Sequence, residues 1–329
     1  MQHIYFSGIG GSGINALAHI ALDCGYKVSG SDLVLNSTTT ELSQRSAQIS
    51  SAPSYEEIQK CNHDLKIDWL VYTAALKADH PHLQFAKINN IKTSKRDEFI
   101  NLIIEKFQLK LIAIAGTHGK TTTTAMLTWL FKELDLPVSY LIGSQISFGR
   151  TGAYEKDSKY FVLECDEFDR NFLHYKPFVA PITTIEYDHP DTYSTPEKYR
   201  ESFNEFLSQI SYGVVTYSEY LQKAGLEESF SKIPTHISYQ LKNINTDKLL
   251  NQIKLLGLHN RQNALLALTA YILAENLPKE KIAELIPKIN TFPGTYRRFE
   301  KIAENIYSDY AHHPDEIRAT LQMAREVRS

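Results

Sequence analysis

The segment Gly116-Thr117-His118-Gly119-Lys120-Thr121-Thr122 follows an apolar run, Leu111-Ile112-Ala113-Ile114-Ala115, and leads into a helix-forming stretch. A strand that enters a glycine turn and leaves as a helix gathers backbone N–H groups and the positive helix end around one point, and such a point takes an anion. Lys120 adds a charge able to reach the outer phosphates of a nucleoside triphosphate, and the Thr121 hydroxyl is placed to ligate Mg2+. The loop is of a shorter kind than the full phosphate-loop pattern, which needs a glycine where Ile114 stands. Phosphoryl transfer is the chemistry this segment points to.

A second glycine turn lies near the N-terminus, where His3-Ile4-Tyr5-Phe6 runs into Gly8-Ile9-Gly10-Gly11-Ser12-Gly13 and then an apolar-periodic run from Ile14 to Leu22. With Asp32 about 20 residues beyond the turn, the pattern has the form of a dinucleotide fingerprint and by itself favours a nicotinamide-dependent oxidoreductase. The physics is less selective, because a glycine turn at a helix N-terminus accepts any diphosphate.

Transfer of a phosphoryl group to an anionic acceptor calls for divalent cations, hence for acidic and imidazole ligands near Lys120. Glu164 follows Phe161-Val162-Leu163, and a carboxylate at a strand end is well placed to hold Mg2+. Asp166, Glu167 and Asp169 read more simply as a solvated acidic turn. His189 stands between Asp188 and Pro190 after another apolar stretch, and Asn260 and Asn263, three apart, share one face near a helix start.

These residues need a scaffold of alternating strands and helices. Strands are expected at 28–32, 69–72, 111–115, 160–163 and 179–185, and helices at about 121–134 and 260–275. Domains are expected at 1–107 and 108–300. Beyond them, 306–310 reads as a strand and 314–328 as a helix opened by Pro314, the start of a third domain at 301–329.

At 329 residues, with 43% hydrophobic and 22% charged residues, the chain suits two ordinary cores and not a disordered state. A net charge of -3 supplies no general field for nucleic acid, so anionic ligands need local sites. Cys24, Cys61 and Cys165 lack the spacing of a zinc site or a disulfide framework, which suits a reducing cytoplasm. No leader and no run of 18 apolar residues is read, so neither export nor membrane insertion is expected.

From Ala115 to Thr124 the phosphate loop resembles that of the Mur ligases, which build the peptide of bacterial cell-wall precursors. Further segments resemble the same family in matching order: Glu164-Cys165-Asp166-Glu167-Phe168-Asp169, Phe172-Leu173-His174, Asp188-His189-Pro190-Asp191-Thr192-Tyr193, Gly257-Leu258-His259-Asn260-Arg261-Gln262-Asn263, Arg297-Arg298-Phe299-Glu300 and Asp309-Tyr310-Ala311-His312-His313-Pro314. Together they cover nearly the whole chain. Cys165, Phe168 and Pro190 depart from the residues usual there.

The resemblance implies an α/β chain with a Rossmann-like first domain, a P-loop-type central ATPase domain and a third, C-terminal domain essentially absent from these residues. It implies an ATP- and Mg2+-dependent ligase joining L-alanine to the carboxylate of UDP-N-acetylmuramate through an acyl phosphate, with these 329 residues alone expected to be inactive. ATP is expected at Gly116, Thr117, His118, Gly119, Lys120, Thr121 and Thr122, its adenine at Asn260 and Asn263, and its ribose or phosphates at Arg298. Asp309 and His313 stand where the family places further nucleotide contacts. Lys120, Glu164 and His189 are the expected catalytic residues, with Thr121, Glu164 and His189 as metal ligands. The UDP diphosphate is expected at Gly10, Gly11, Ser12 and Gly13, with Asp32 and Thr73 near the nucleotide and His174 touching substrate. The competing readings are a recycling ligase with the same chemistry and a peptide amine donor, a nicotinamide oxidoreductase, and a non-catalytic nucleotide-binding module.

Overall fold

The chain is described by a computed structural model covering residues 2–232, 237–241 and 246–327. Its contacts divide into two units, Met1–Leu109 with Arg150–Ser158, and Lys110–Gly149 with Lys159–Ser329. In the first unit strands and helices alternate: β1 (His3–Ser7), α1 (Ser12–Asp23), β2 (Lys27–Ser31), α2 (Ser37–Gln44), β3 (Gln48–Ser50), α3 (Tyr55–Asp64), β4 (Trp69–Tyr72), α4 (Pro81–Ile88), β5 (Lys92–Ser94) and α5 (Arg96–Lys106). All pairings are parallel, in the order β3-β2-β1-β4-β5. The order reverses beside β1, so a crevice opens outside its carboxyl end, where the Gly8 turn lies.

Every side chain of β1 is buried, as a central parallel strand covered on both faces requires. One face is apolar, with Phe6 edge-on to Phe99 and Phe99 against Trp69. The other carries a polar ladder: His3 Nε2 to the Ser29 hydroxyl at 2.7 Å, the Tyr5 hydroxyl donating to Glu57 at 2.5 Å, and the Ser7 hydroxyl to His82 Nδ1 at 2.7 Å. Burial pulls His82 down to about 4, so it enters this ladder neutral.

The second unit comprises β6 (Lys110–Ile114), α6 (Lys120–Glu133), β7 (Ser139–Leu141), β9 (Tyr160–Glu164), β10 (Val179–Pro181), α7 (Pro196–Ser208), β11 (Gly213–Thr216), α8 (Ser218–Ala224), α9 (Glu227–Ser231), β12 (Ile237–Gln240), α10 (Thr246–Leu250), α11 (Leu258–Ala274), α12 (Lys281–Ile289), β13 (Glu300–Ala303), β14 (Ile306–Ser308) and α13 (Pro314–Glu326). A short strand, β8 (Gly152–Ala153), belongs to the first unit, where it packs on α1. The second sheet runs β12-β11-β10-β6-β9-β7, all parallel. Helix α11 packs along α6 and is buried from Ala264 to Ala274.

Two expected strands end early for a local reason. The run 179–185 stops at Pro181 because Thr183 and Thr184 turn to bond the phosphate loop: Thr117 N–H donates to the Thr184 carbonyl at 2.8 Å and His118 N–H to the Thr184 hydroxyl at 2.9 Å. The run 306–310 stops at Ser308 because the Asp309 carboxylate accepts from the N–H groups of Phe299 and Ala311. Helix α13 opens at Pro314 and runs to Glu326; Arg328, its expected last residue, lies outside the described residues.

Gly30 passes so close to β1 that a β-carbon there would fall on the carbonyl oxygen of Phe6. A backbone oxygen fixed in a parallel ladder cannot give way. Gly30→Ala should therefore lower the stability of the first unit by about 1–3 kcal/mol, read by urea denaturation through Trp69 fluorescence in a Trp129→Phe background; an unchanged midpoint would refute the close approach.

Candidate active site

The carboxyl ends of β6, β9 and β10 project three loops toward one place. The loop after β6 bends at Gly116, whose φ of +122° suits glycine and where a β-carbon would meet the backbone of Thr184. Gly119, at φ +85°, begins α6 with no side-chain cap, which leaves the helix end directed at the loop. The Thr117 hydroxyl bonds the Glu186 carbonyl and the Tyr199 hydroxyl, fixing the turn from below. Asn263 from α11 lies against Gly119, 2.7 Å from where a β-carbon would be.

Lys120 Nζ donates to Glu167 Oε2 at 2.6 Å and to the Thr117 carbonyl at 3.2 Å. Burial works against its charge, but the carboxylates of Glu167, Asp166 and Glu164 outweigh burial and hold the ammonium protonated. Glu167 is fully buried, and this overturns its reading as part of a solvated turn; Asp166 and Asp169 on either side are exposed as expected. Nothing in the spacing of Glu167 distinguishes it from its acidic neighbours, because the 3-10 turn that pulls it inward is a tertiary feature. The segment Phe168–His174 carries two consecutive residues at positive φ, Asp169 and Arg170.

Two groups of residues suit a hard divalent cation. The Thr121 hydroxyl meets Glu164 Oε1 at 2.8 Å, and the other Glu164 oxygen accepts the Gly143 N–H at 2.7 Å. His189 Nε2 lies 3.7 Å from Glu167 Oε1, a buried atom with no hydrogen-bond partner among the described residues, and Asp166 offers a third ligand atom within 4.8 Å of both. Oxygen donors with one imidazole, and an orphaned carboxylate oxygen between them, fit Mg2+ or Mn2+. Phe168 stands edge-on to His189 at 5.3 Å.

Beside the loop lies a cavity of about 210 Å3 that gathers His118, Gly119, Thr122, Asn260, Asn263 and Arg298. It also reaches His259 and Glu186, which sequence reasoning did not single out. The expected contact residue Asp309 lines it too, while His174 ends the 3-10 segment, exposed, and is not among its lining residues. His118 sits between Glu186 at 3.4 Å and Glu316 at 3.2 Å. Burial opposes its charge, yet the attraction of both nearby carboxylates prevails and raises it to about 9.

In the first unit, the Gly8 turn is held by N–H groups of Gly8 and Ile9 on the Ser31 carbonyl. The Asp32 carboxylate accepts the Gly10 N–H at 2.8 Å and that of Val34 at 3.1 Å, and Thr73 lies against Gly8. Gly11 caps α1 without a side-chain bond, leaving the first N–H groups, at Ser12 and Gly13, for an anion. The guanidinium of Arg96, from the start of α5, comes within 3.5 Å of where a Gly13 β-carbon would be. No sequence spacing marks that cation, since β5 alone brings it to the turn.

Residues 3–108 match the Mur ligase family catalytic domain and residues 114–271 the Mur ligase middle domain. A UDP-N-acetylmuramate–L-alanine ligase of Alkaliphilus metalliredigens is 33% identical, over 99% of this chain and 74% of that one. The chain belongs to the Mur ligase family. The solved UDP-N-acetylmuramate–alanine ligase of Thermotoga maritima matches this Mur ligase with a TM-score of 0.79 at 25% identity, over 99% of this chain and 78% of that one. A murein peptide ligase of Psychrobacter arcticus shares the fold, with a TM-score of 0.78 at 24% identity over 99% and 76%. Mur ligases form amide bonds at the expense of ATP, and the phosphate loop of this member lies inside the matched middle domain.

The ion pairs at His118 make stability depend on pH. His118 is raised from 6.5 to about 9, so its contribution is complete below pH 6.5 and lost as pH climbs through 9. Glu186 and Glu316 are lowered from 4.5 to about 2, chiefly by His118 for the first and against burial for the second, so their share is present above pH 4.5 and lost toward 2. In scanning calorimetry, His118→Gln should lower the melting temperature most between pH 4.5 and 6.5, and the gap should close above pH 9. A gap that stays constant from pH 6 to 10 would show that the ring does not bear this charge.

Proposed function

We propose that this Mur ligase joins L-alanine to the carboxylate of UDP-N-acetylmuramate at the expense of ATP, in the supply of peptidoglycan precursors. The observation that carries the reading is the mostly enclosed Lys120, held between Glu167 and the loop carbonyl of Thr117 at the start of α6, in a chain about one-third identical over nearly its whole length to UDP-N-acetylmuramate–L-alanine ligases. The nicotinamide reading accounts for the Gly8 turn alone and leaves this loop without a purpose.

In this mechanism the lactyl carboxylate attacks the γ-phosphate of ATP, and ADP leaves as the acyl phosphate forms. The amine of alanine then attacks the acyl carbon and displaces phosphate through a tetrahedral intermediate. The protein supplies no nucleophile. Lys120 and the N–H groups of 117–120 meet charge that builds on the transferring group, and the rigid loop holds it in line. Thr121 with Glu164, and His189 with Glu167 and Asp166, would hold Mg2+, which when bound neutralises phosphate charge. Asn260 and Asn263 would receive the adenine, and Arg298 the ribose or phosphates. In the first unit, Gly10, Gly11, Ser12 and Gly13 would cradle the UDP diphosphate, with Arg96 as an added cation and Asp32 stiffening the turn through Gly10.

The three cysteines are free, and among the described residues no helix is long and apolar enough to cross a membrane. We place the reaction in the cytoplasm, where ATP is available.

The direct test is phosphate release requiring UDP-N-acetylmuramate and L-alanine together, assayed on a full-length version that carries the third domain. In the complete enzyme, Lys120→Ala should lower turnover by about 10²-fold or more at saturating ATP, with folding nearly unchanged; parent-like turnover would remove the loop from the chemistry. UDP-N-acetylmuramate should raise the melting temperature, since ligand at 100 times its dissociation constant adds about 2.7 kcal/mol. NAD should leave the melting temperature unmoved, and stabilisation by NAD alone would favour the oxidoreductase reading.

A further inference from the structure

Helix α13 meets the cavity with one face: Glu316, Ala319, Thr320 and Met323 recur at helical spacing and all line it. The helix is anchored twice. Near its C-terminus Glu326 bonds Arg261 and the Gly257 N–H at 3.0 Å each, a pair that is partly exposed. Near its N-terminus Glu316, only 12% exposed, approaches His118 Nδ1 at 3.2 Å and Arg298 at 3.7 Å, and accepts the His312 N–H at 3.2 Å. The His118 ring also lies against that of His313, the N-cap of α13, with centroids 4.7 Å apart.

His118 is thereby shared. Its backbone N–H donates to the Thr184 hydroxyl and its ring is paired with Glu186, which Lys223 holds in turn, so those two contacts belong to the loop after β10. The third contact, the ion pair with Glu316, belongs to α13 alone. Next along the chain is Gly119, against which the expected adenine ligand Asn263 lies. A displacement of α13 that frees Glu316 would leave the buried His118 charge short of a partner and the far wall of the cavity unseated. Separating one member of a buried charge pair is costly, so the two movements are tied together.

We infer that Glu316 is a positioning residue for the nucleotide: through His118 it latches α13 to the phosphate loop and so completes the wall of the ATP pocket. The inference rests on reading that cavity as the nucleotide site. It assigns Glu316 no contact with the reacting atoms. Its effect belongs in nucleotide affinity and not in the rate of the chemical step.

The test compares the parent with Glu316→Ala, Glu316→Gln and His118→Gln. Mg-ATP titrated calorimetrically should bind the Glu316→Ala protein about tenfold more weakly, within the range of ordinary couplings between sites. In the complete enzyme, KM for ATP should rise to match, with kcat within twofold. The double variant His118→Gln/Glu316→Gln should bind no more weakly than the weaker single variant, because both changes break one contact. In the parent, ATP should slow hydrogen exchange of the amides of 317–326, and Glu316→Ala should abolish that protection. If Glu316→Ala does not fold, Glu316→Gln, which keeps the shape and the His312 bond, carries the comparison. Unchanged affinity, or additive losses in the double variant, overturns the latch. Tighter binding by Glu316→Ala also overturns it and makes the contact autoinhibitory. Failure of the parent itself to bind ATP would sink the nucleotide-site reading, a result distinct from a parent that binds and a variant that binds equally well.

Discussion

The second unit is organised around an ammonium group that has almost no access to water. The Lys120 side chain is 12% exposed and its partner Glu167 not at all, so each would be untenable without the other. The pair needs two loops, one after β6 and one after β9, and these loops emerge side by side only because β6 and β9 are neighbours in register, Ile114 beside Glu164. That same register puts Thr121 on Glu164. A parallel sheet with short loops at its carboxyl ends is thus the condition for concentrating three carboxylates around one lysine. The charge so held is then available, prepositioned, to an anion at the helix end.

The polypeptide around this centre is rigid for identifiable reasons. Thr183 and Thr184 give up their place in β10 to bond the phosphate loop, and Gly116 admits them because it has no β-carbon. The Tyr193 hydroxyl donates to the Glu167 carbonyl at 2.6 Å, which fixes the turn bearing the buried carboxylate. Consecutive positive-φ residues at Asp169 and Arg170 store backbone strain beside the site, and that strain is sustained by Phe172, which stacks on Phe206 beneath them. Preorganisation of this kind leaves little to rearrange when charge moves.

The first unit solves a related problem with different materials. Its glycine turn is stiffened by Asp32, whose carboxylate is engaged by the backbone N–H groups of Gly10 and Val34. Beneath the turn, Ser7, His82, Glu57, Tyr5 and Ser31 form a buried polar chain where an aliphatic core would have sufficed. Each member satisfies a neighbour, which is the condition for keeping polar groups in a core. His82 Nε2 alone lacks a hydrogen bond among the described residues, and it faces Glu57 at 3.7 Å.

Local sequence determined the two glycine turns, the helices that follow them and the strands that precede them, because φ-permissive glycines and apolar periodicity act over a few residues. It likewise marked Lys120 and Thr121 by their position in a strand-turn-helix unit and Glu164 by its place at a strand end. Only the tertiary structure decided which carboxylate pairs with Lys120, since Asp166, Glu167 and Asp169 are close in sequence and only Glu167 is turned into the interior. Arg96 at the Gly13 turn, and Glu316 on His118, are of the same kind. Each comes from an element distant in sequence, and an ion pair between remote segments leaves no periodic trace in either; it exists because parallel strands and packed helices bring their ends to one edge.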